Sequence, residues 1–164
     1  MKITNLLLFI AIVTLASCSS TSIEEETALY SIEESATPVR MSDNEMALLK
    51  MINEHRASVG ASKLILDSTI YNYAALHNAY MIDQNSISHT NFDTRSQTVK
   101  VQTKAANVSE NVARFFSSNN GVVNGWLNSP SHKKTLEGNF THTVISISED
   151  ATGKKYYTQL FYNL

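Results

Sequence analysis

The chain has 164 residues, of which 43% are hydrophobic and 17% are charged, and its formal net charge is −2. This composition suits a globular domain with a buried core, and the lack of a basic excess argues against a nucleic-acid-binding protein. Cys18 is the one cysteine, so no disulfide can form within the chain. Charge is uneven, because five of the 15 acidic residues precede residue 41, whereas the remainder carries 11 basic and 10 acidic residues.

The first 18 residues predict an export signal that ends at a lipidation site. Lys2 precedes an apolar run over residues 6–15, which is shorter than the roughly 20 residues needed to span a bilayer. Leu15-Ala16-Ser17-Cys18 resembles the lipobox of bacterial lipoproteins, in which the signal is cut before the cysteine and the thiol is acylated. We therefore predict a signal peptide over residues 1–17 and a membrane anchor at Cys18. The alternative is an ordinary signal peptide cut near Ser17, with an incidental cysteine.

Residues 18–41 are predicted to form a flexible acidic linker. They are rich in Ser, Thr and Glu, and such a composition cannot bury enough apolar surface to offset the entropy of ordering. We expect the folded domain over residues 42–164, as a monomeric domain. Cys18 would hold it on the outer side of the cytoplasmic membrane or in the outer membrane of a bacterial envelope.

The first predicted helix of the domain has a clear start and stop. Ser42 and Glu45 form a capping box, and apolar residues spaced near 3.6 then predict a helix that stops before Gly60. Three polar residues within it are expected to brace a neighbouring loop rather than to perform chemistry: Asn53, His55 and Arg56.

Two further helices follow in the pattern. One is capped by Asp67 or Ser68 and runs to about residue 84, and His77 lies in its apolar stripe, where a histidine is more often a satisfied core residue than a ligand. The other is a short helix over residues 95–104. Between them, His89 lies on a loop between Ser88 and Thr90, a setting more typical of a site than of a core.

The second half of the domain predicts strands and two short helices. Residues 107–113 read as a strand in which Glu110 either faces solvent at an edge or turns towards histidines, because a buried carboxylate needs a partner. A helix over residues 121–128 runs into Ser-Pro-Ser, and Pro at a helix start places His132 in the first turn of the next helix. The positive end of that helix favours an unprotonated imidazole.

Two segments at the end of the chain predict an antiparallel hairpin. Residues 140–148 and 156–164 are rich in β-branched and aromatic side chains, and the turn residues between them include Gly153. His142 in the first strand is either sheet surface or cleft wall. Helices followed by a hairpin indicate an α+β fold with helices covering an antiparallel sheet.

We predict that His89, Glu110 and His132 converge in one cleft. Two imidazoles and a carboxylate are compatible with a zinc site that keeps open positions, or with general acid–base work near neutral pH. A metal site of this kind could also generate hydroxide for hydrolysis. No serine lies in a nucleophile-elbow pattern, and the one cysteine is assigned to the anchor.

The motifs together resemble the CAP superfamily, also called the SCP domain, in its bacterial branch that is poor in cysteine. The resemblance covers the chain from about residue 42 to its end and rests on motifs that occur in the family's order. These are Asn53-Glu54-His55-Arg56, Ser88-His89-Thr90, Ser109-Glu110-Asn111, Trp126 through His132, and Tyr157 through Phe161.

The resemblance implies a three-layer α–β–α sandwich and a ligand cleft lined by His89, Glu110, Asn111 and His132, with His89 and His132 as the residues that would hold a metal such as zinc. Three departures from the family pattern are visible. Ser129 stands where many members have a second acid, serines replace both motif glycines at positions 109 and 131, and Ile145-Ser146-Ile147 replaces Gly-x-Gly.

Three functions remain open on these grounds. The first is a membrane-anchored domain whose cleft binds a lipid-like, peptide or cell-wall ligand, with or without a divalent metal. The second is a metal-dependent hydrolase or peptidase, and the third is a surface interaction module with a vestigial cleft.

Overall fold

The computed structural model describes residues 40–164. The predicted signal peptide, the anchor at Cys18 and nearly all of the predicted linker lie outside the described residues. Met41 is 7% exposed and packs in the core, so the core includes one residue that the sequence assigned to the linker. No helix within the described range is long and apolar enough to cross a membrane.

Five α-helices and four strands make up the described fold. The helices are α1 (Asp43–Ser58), α2 (Tyr71–Asp83), α3 (Phe92–Thr103), α4 (Asn119–Leu127) and α5 (Pro130–Leu136). The strands are β1 (Ile65–Leu66), β2 (Asn107–Arg114), β3 (His142–Glu149) and β4 (Lys155–Asn163). A 3₁₀ turn over Ser68–Ile70, capped by Asp67, leads into α2.

Most predicted elements are confirmed, with ends that differ by a few residues, and the start of α3 is one such difference. Helix α3 begins at Phe92 rather than at residue 95. The reason is Asn91, whose left-handed backbone (φ 58°) turns the chain directly into the helix, so residues 92–94 already belong to its first turn. Asn is one of the few residues with a side chain that adopts this conformation readily.

The four strands form one sheet in the order β1–β3–β4–β2. β4 pairs antiparallel with both β3 and β2, as the predicted hairpin requires. The two-residue strand β1, which the sequence did not predict, pairs parallel with β3. The predicted antiparallel sheet is therefore extended by one short parallel strand, and β2 lies at the opposite edge.

Helices cover both faces of this sheet, which confirms the α–β–α sandwich. Seven consecutive residues of the central strand β4, from Tyr156 to Tyr162, are buried, so this strand has covered side chains on both faces. Helices α2 and α3 pack on one face of the sheet, whereas α1, α4 and α5 pack together on the other. Helix α2 contributes Asn78, which donates to the carbonyl of Ser146 and accepts from Thr158.

The capping box at the start of α1 also ties this helix to the sheet. Ser42 and Glu45 form both reciprocal hydrogen bonds of the box. Glu45 is buried, and its Oε1 accepts from the Ile147 amide at 2.7 Å and from the Tyr71 hydroxyl at 3.0 Å. One carboxylate thus joins α1, β3 and the start of α2.

Arg56 braces the chain after α5, as the sequence suggested for the polar residues of α1. It is 1% exposed and donates to four carbonyls, those of Ser62, Leu136, Gly138 and Phe140. A buried acceptor that loses its donor costs about 1–3 kcal/mol. The guanidinium therefore fixes the end of α5 and the entry into β3.

Replacing Arg56 with Met should destabilise the fold by about 3 kcal/mol, because several buried carbonyls would lose their donor while the side-chain volume is retained. Chemical denaturation measures this as a lower free energy of unfolding. Lys50→Met on the exposed side of α1 is the matched control and should leave stability nearly unchanged, since Lys50 is 77% exposed. Equal stability of the two variants would contradict the bracing role.

Candidate functional site

The site lies at the free edge of β2 and draws on both helical layers. Glu110 and Asn111 are consecutive on this strand, so their side chains point to opposite faces of the sheet. Glu110 faces α3 and the loop that carries His89, whereas Asn111 faces α5 and donates to the His132 carbonyl at 3.1 Å. Because β2 is an edge strand, groups from the two layers can meet around it.

Glu110 is a buried carboxylate with three basic neighbours. Its side chain is 1% exposed, and the buried Arg95 guanidinium donates to both carboxylate oxygens, through Nε at 2.8 Å and Nη2 at 3.0 Å. His89 Nδ1 lies 2.8 Å from Oε1, and His77 Nε2 lies 3.7 Å from the same oxygen. The sequence left open whether Glu110 faces solvent or turns towards histidines, and the structure shows that it faces histidines.

The surroundings of Glu110 hold it in its ionised form. Burial by itself would raise the pKa of this carboxyl group. The hydrogen bond from His89 and the charges of Arg95 and His77 outweigh that effect, so the pKa of Glu110 lies below its usual value.

His89 is oriented by this carboxylate. Because an ionised carboxylate only accepts hydrogen bonds, Nδ1 of His89 must carry the proton in their 2.8 Å contact. The His89 side chain is 52% exposed, so the opposite edge of the ring, with Nε2, lies on the solvent side. His89 therefore lies on a loop, as predicted, and its ring is held at Nδ1 while its other edge is accessible.

His77 is fully buried and supports the same loop. Its Nε2 donates to the Ser88 carbonyl at 2.8 Å, so Nδ1 is unprotonated in the neutral ring and has no hydrogen-bond partner. Burial, followed by the charge of Arg95, lowers the pKa of His77. The sequence placed His77 in the core, which the structure confirms, but it did not indicate that this side chain contacts the site.

His132 approaches from the other layer. It lies in the first turn of α5 behind Pro130, as predicted, and its Nδ1 is 2.8 Å from the Ser129 hydroxyl. Burial, followed by the charge of His89, lowers the pKa of His132. His89 and Glu110 are thus in direct contact, whereas His132 is joined to β2 through its backbone carbonyl, which accepts from Asn111, the residue after Glu110.

Ser129 occupies the place where the family often has an acid, and it bonds the ring of His132 there. The two serines that replace motif glycines fit without strain, because Ser109 lies within β2 and Ser131 within α5, and neither has a positive φ. Asn111 is buried, with 1% of its surface exposed. Its contact with the site is the hydrogen bond that its side chain donates to the His132 carbonyl.

The residues present do not fit a catalytic zinc centre with three protein ligands. Both oxygens of Glu110 are already bonded to Arg95, and one also to His89. Within residues 40–164, no group of three or more His, Cys, Asp or Glu side chains is placed to hold a metal ion. His89 and His132 would supply two imidazoles, whereas catalytic zinc sites use three protein ligands.

Arg95, like the site contact of His77, is a feature that sequence reasoning missed. It lies in the segment predicted as a short helix, and its type alone did not distinguish it from the other basic residues there. A signal was nevertheless present, because Val108 and Val112 lie on the same face of the predicted strand as Glu110. A carboxylate buried beside such side chains needs a partner, and a cation is one that offsets the cost of burial.

Glu110→Gln should make stability less dependent on pH. The folded-state pKa of Glu110 is below its unfolded value of about 4.3, so its ionisation stabilises the fold above that pH and the contribution is lost as the pH falls through the folded-state pKa. At neutral pH the variant should lose about 3 kcal/mol, since Arg95 is left buried without its counter-charge.

Urea denaturation of both proteins between pH 7 and pH 3 measures this difference, which should narrow towards the acid end. Glu54→Gln is the control, because Glu54 is 65% exposed and should change stability little at any pH. A difference between wild type and Glu110→Gln that stays constant over the whole range would contradict an ionised Glu110.

Comparison with known proteins places this geometry in a family. The family model described as CAP, the cysteine-rich secretory protein family, matches residues 49–161. The membrane protein YlbC of Bacillus subtilis is 29% identical over 124 residues, which cover 72% of this chain and 34% of that protein. The chain therefore spans about a third of the length of this relative.

Solved structures show the same fold. An outer surface protein of Borrelia burgdorferi superposes with a TM-score of 0.67 at 22% identity, covering 79% of this chain and 98% of its own. An extracellular protein of Bacillus anthracis that contains an SCP domain gives a TM-score of 0.63 at 26% identity, covering 74% of this chain and 40% of its own. Together with the family match, these similarities show that the chain belongs to the CAP, or cysteine-rich secretory protein, family.

Proposed function

We propose that the chain is a ligand-binding domain of the bacterial cell envelope, whose cleft between His89 and His132 binds a peptide or cell-wall component. The observation that carries this proposal is the arrangement of His89. One ring nitrogen is held by a buried, ionised carboxylate, while the side chain as a whole is half exposed. Such a ring is preorganised to meet a ligand rather than to pack a core.

Polar groups around the two rings favour a polar ligand over an acyl chain. Ser88 and Thr90 flank His89 in the loop, and the Ser129 hydroxyl bonds both His132 and Ser131. The charge of Glu110 is balanced by Arg95, so the exposed part of the site is uncharged while both imidazoles are neutral. Hydroxyl, amide and carboxylate groups of a peptide or peptidoglycan fragment suit these partners.

The metal-dependent hydrolase has less support, because Glu110 is committed to Arg95 and His89 and does not remain free as a third ligand. We therefore place binding before catalysis.

The test is an NMR titration of the purified full chain with soluble muropeptides, following the ring signals of the histidines. We expect saturable shifts of His89 and His132, and affinity at least about 10-fold weaker in His89→Ala and in His132→Ala. His142→Ala is the matched control, since His142 lies on β3 away from the β2 edge and stacks on Tyr162.

Parallel titrations separate the alternatives. Shifts with palmitate in micelles but not with muropeptides would favour a lipid-like ligand, and saturable shifts with zinc chloride alone would restore a metal role. Silence of both rings towards all three probes would contradict ligand binding in this cleft and favour a surface interaction module.

We also propose that Cys18 anchors the domain to a membrane through its acylated thiol. The lipobox supports this, and the relatives described as a membrane protein and an outer surface protein fit an envelope location. One acyl chain binds membranes only marginally, so stable attachment relies on the several chains that bacterial lipoproteins carry.

Cys18→Ser should abolish incorporation of labelled palmitate and move the protein from the detergent phase to the aqueous phase, because the acylated thiol is removed. Ser20→Ala is the control and should remain acylated. Unchanged membrane partition of the cysteine variant would contradict the proposed lipid anchor, independently of what the cleft binds.

A further inference from the structure

Arg95 contacts the backbone next to His89 as well as the carboxylate that orients it. Its side chain is fully buried, and two of its nitrogens hold Glu110. The remaining nitrogen, Nη1, donates to the Thr90 carbonyl at 3.3 Å. A single guanidinium therefore holds both the partner of the His89 ring and the residue that follows His89 in the loop.

The loop around His89 is held on both sides. His77 donates to the Ser88 carbonyl at 2.8 Å, and the His89 carbonyl accepts from the Phe92 amide at 3.0 Å. With Thr90 held by Arg95, the backbone carbonyls of Ser88, His89 and Thr90 all accept hydrogen bonds. This exposed loop is consequently fixed in one conformation by two buried basic side chains.

We propose that Arg95 is a positioning residue for the ligand site, which fixes His89 in the Nδ1–H tautomer and presents an unprotonated Nε2 to the ligand. This inference rests on the proposed function for its purpose, but its geometry is independent of any ligand. It also specifies the ligand group that meets the neutral His89 ring, which must be a hydrogen-bond donor such as an amide N–H, an ammonium or a hydroxyl.

The Nδ1–H form is the less common tautomer of neutral histidine, so a specific hydrogen bond must stabilise it in His89. In free neutral histidine the proton prefers Nε2, and only a strong acceptor at Nδ1 reverses this preference. Glu110 supplies that acceptor at 2.8 Å, and the Arg95 fork fixes the direction of both carboxylate oxygens. Without the fork, the carboxylate could rotate away from His89, and the ring would return to the Nε2–H form.

His77 provides an internal reference for this assignment. It lies beside the same carboxylate oxygen, at 3.7 Å, but its Nε2 donates to the Ser88 carbonyl. The neutral ring of His77 is therefore the Nε2–H tautomer, the reverse of His89. The two histidines should give opposite patterns in one spectrum.

Long-range ¹H–¹⁵N correlation spectra of the full chain, which distinguish the two tautomers, test the proposal. At a pH where both rings are neutral, wild type should show Nδ1–H for His89 and Nε2–H for His77. In Arg95→Met, His89 should shift towards the Nε2–H form, and muropeptide affinity should fall by about 10-fold. Arg114→Met is the control, because Arg114 bonds the Asn85 carbonyl elsewhere and should change neither readout.

An Nε2–H pattern for His89 in the wild-type protein would overturn the proposal without any variant. An unchanged His89 pattern in folded Arg95→Met would overturn it as well. If Arg95→Met does not fold, Arg95→Lys replaces it, since Lys keeps the charge but cannot bond both Glu110 oxygens and Thr90 at once. If wild-type His89 is Nδ1–H but no muropeptide binds, the proposed function fails and the positioning role stands.

Discussion

The buried ion pair between Arg95 and Glu110 is the interaction on which the site depends. A carboxylate in the middle of an edge strand would be costly to bury alone, and a buried arginine equally so. Paired at two oxygens, they offset each other's burial and leave one oxygen able to accept from His89. The pair thereby connects α3, β2 and the loop after α2 at one point.

The position of β2 at the sheet edge explains how the site combines two layers. Side chains alternate along a strand, so Glu110 and Asn111 lie on opposite faces of the sheet. Glu110 bonds the ring of His89, and Asn111 bonds the backbone carbonyl of His132. In a central strand such as β4, neighbouring strands on both sides would keep the two layers apart. At the edge, Glu110 contacts the ring of His89 from one layer, and Asn111 contacts the backbone of His132 from the other.

The two halves of the site differ in character. His89 is held by an ionised carboxylate, whereas His132 is held by the neutral hydroxyl of Ser129, at the position where many members of the family have an acid. Two polar anchors in the core support the surrounding scaffold: Glu45 joins α1 to β3, and Arg56 bonds the end of α5, the helix that carries His132. This division, with the ring-bearing residues on a loop and a helix start and a rigid scaffold beneath them, is common in binding sites.

The sequence by itself determined the helices, the hairpin, the loop position of His89 and the helix-start position of His132, because capping residues, period and turn chemistry are local properties. It also predicted that Glu110 needs a partner. Only the tertiary structure decided that this partner is Arg95, that His77 holds the loop, and that β1 adds a parallel strand to the sheet. Those contacts join residues 11 to 77 positions apart in the chain, and no local pattern specifies which distant side chain will fill a buried position.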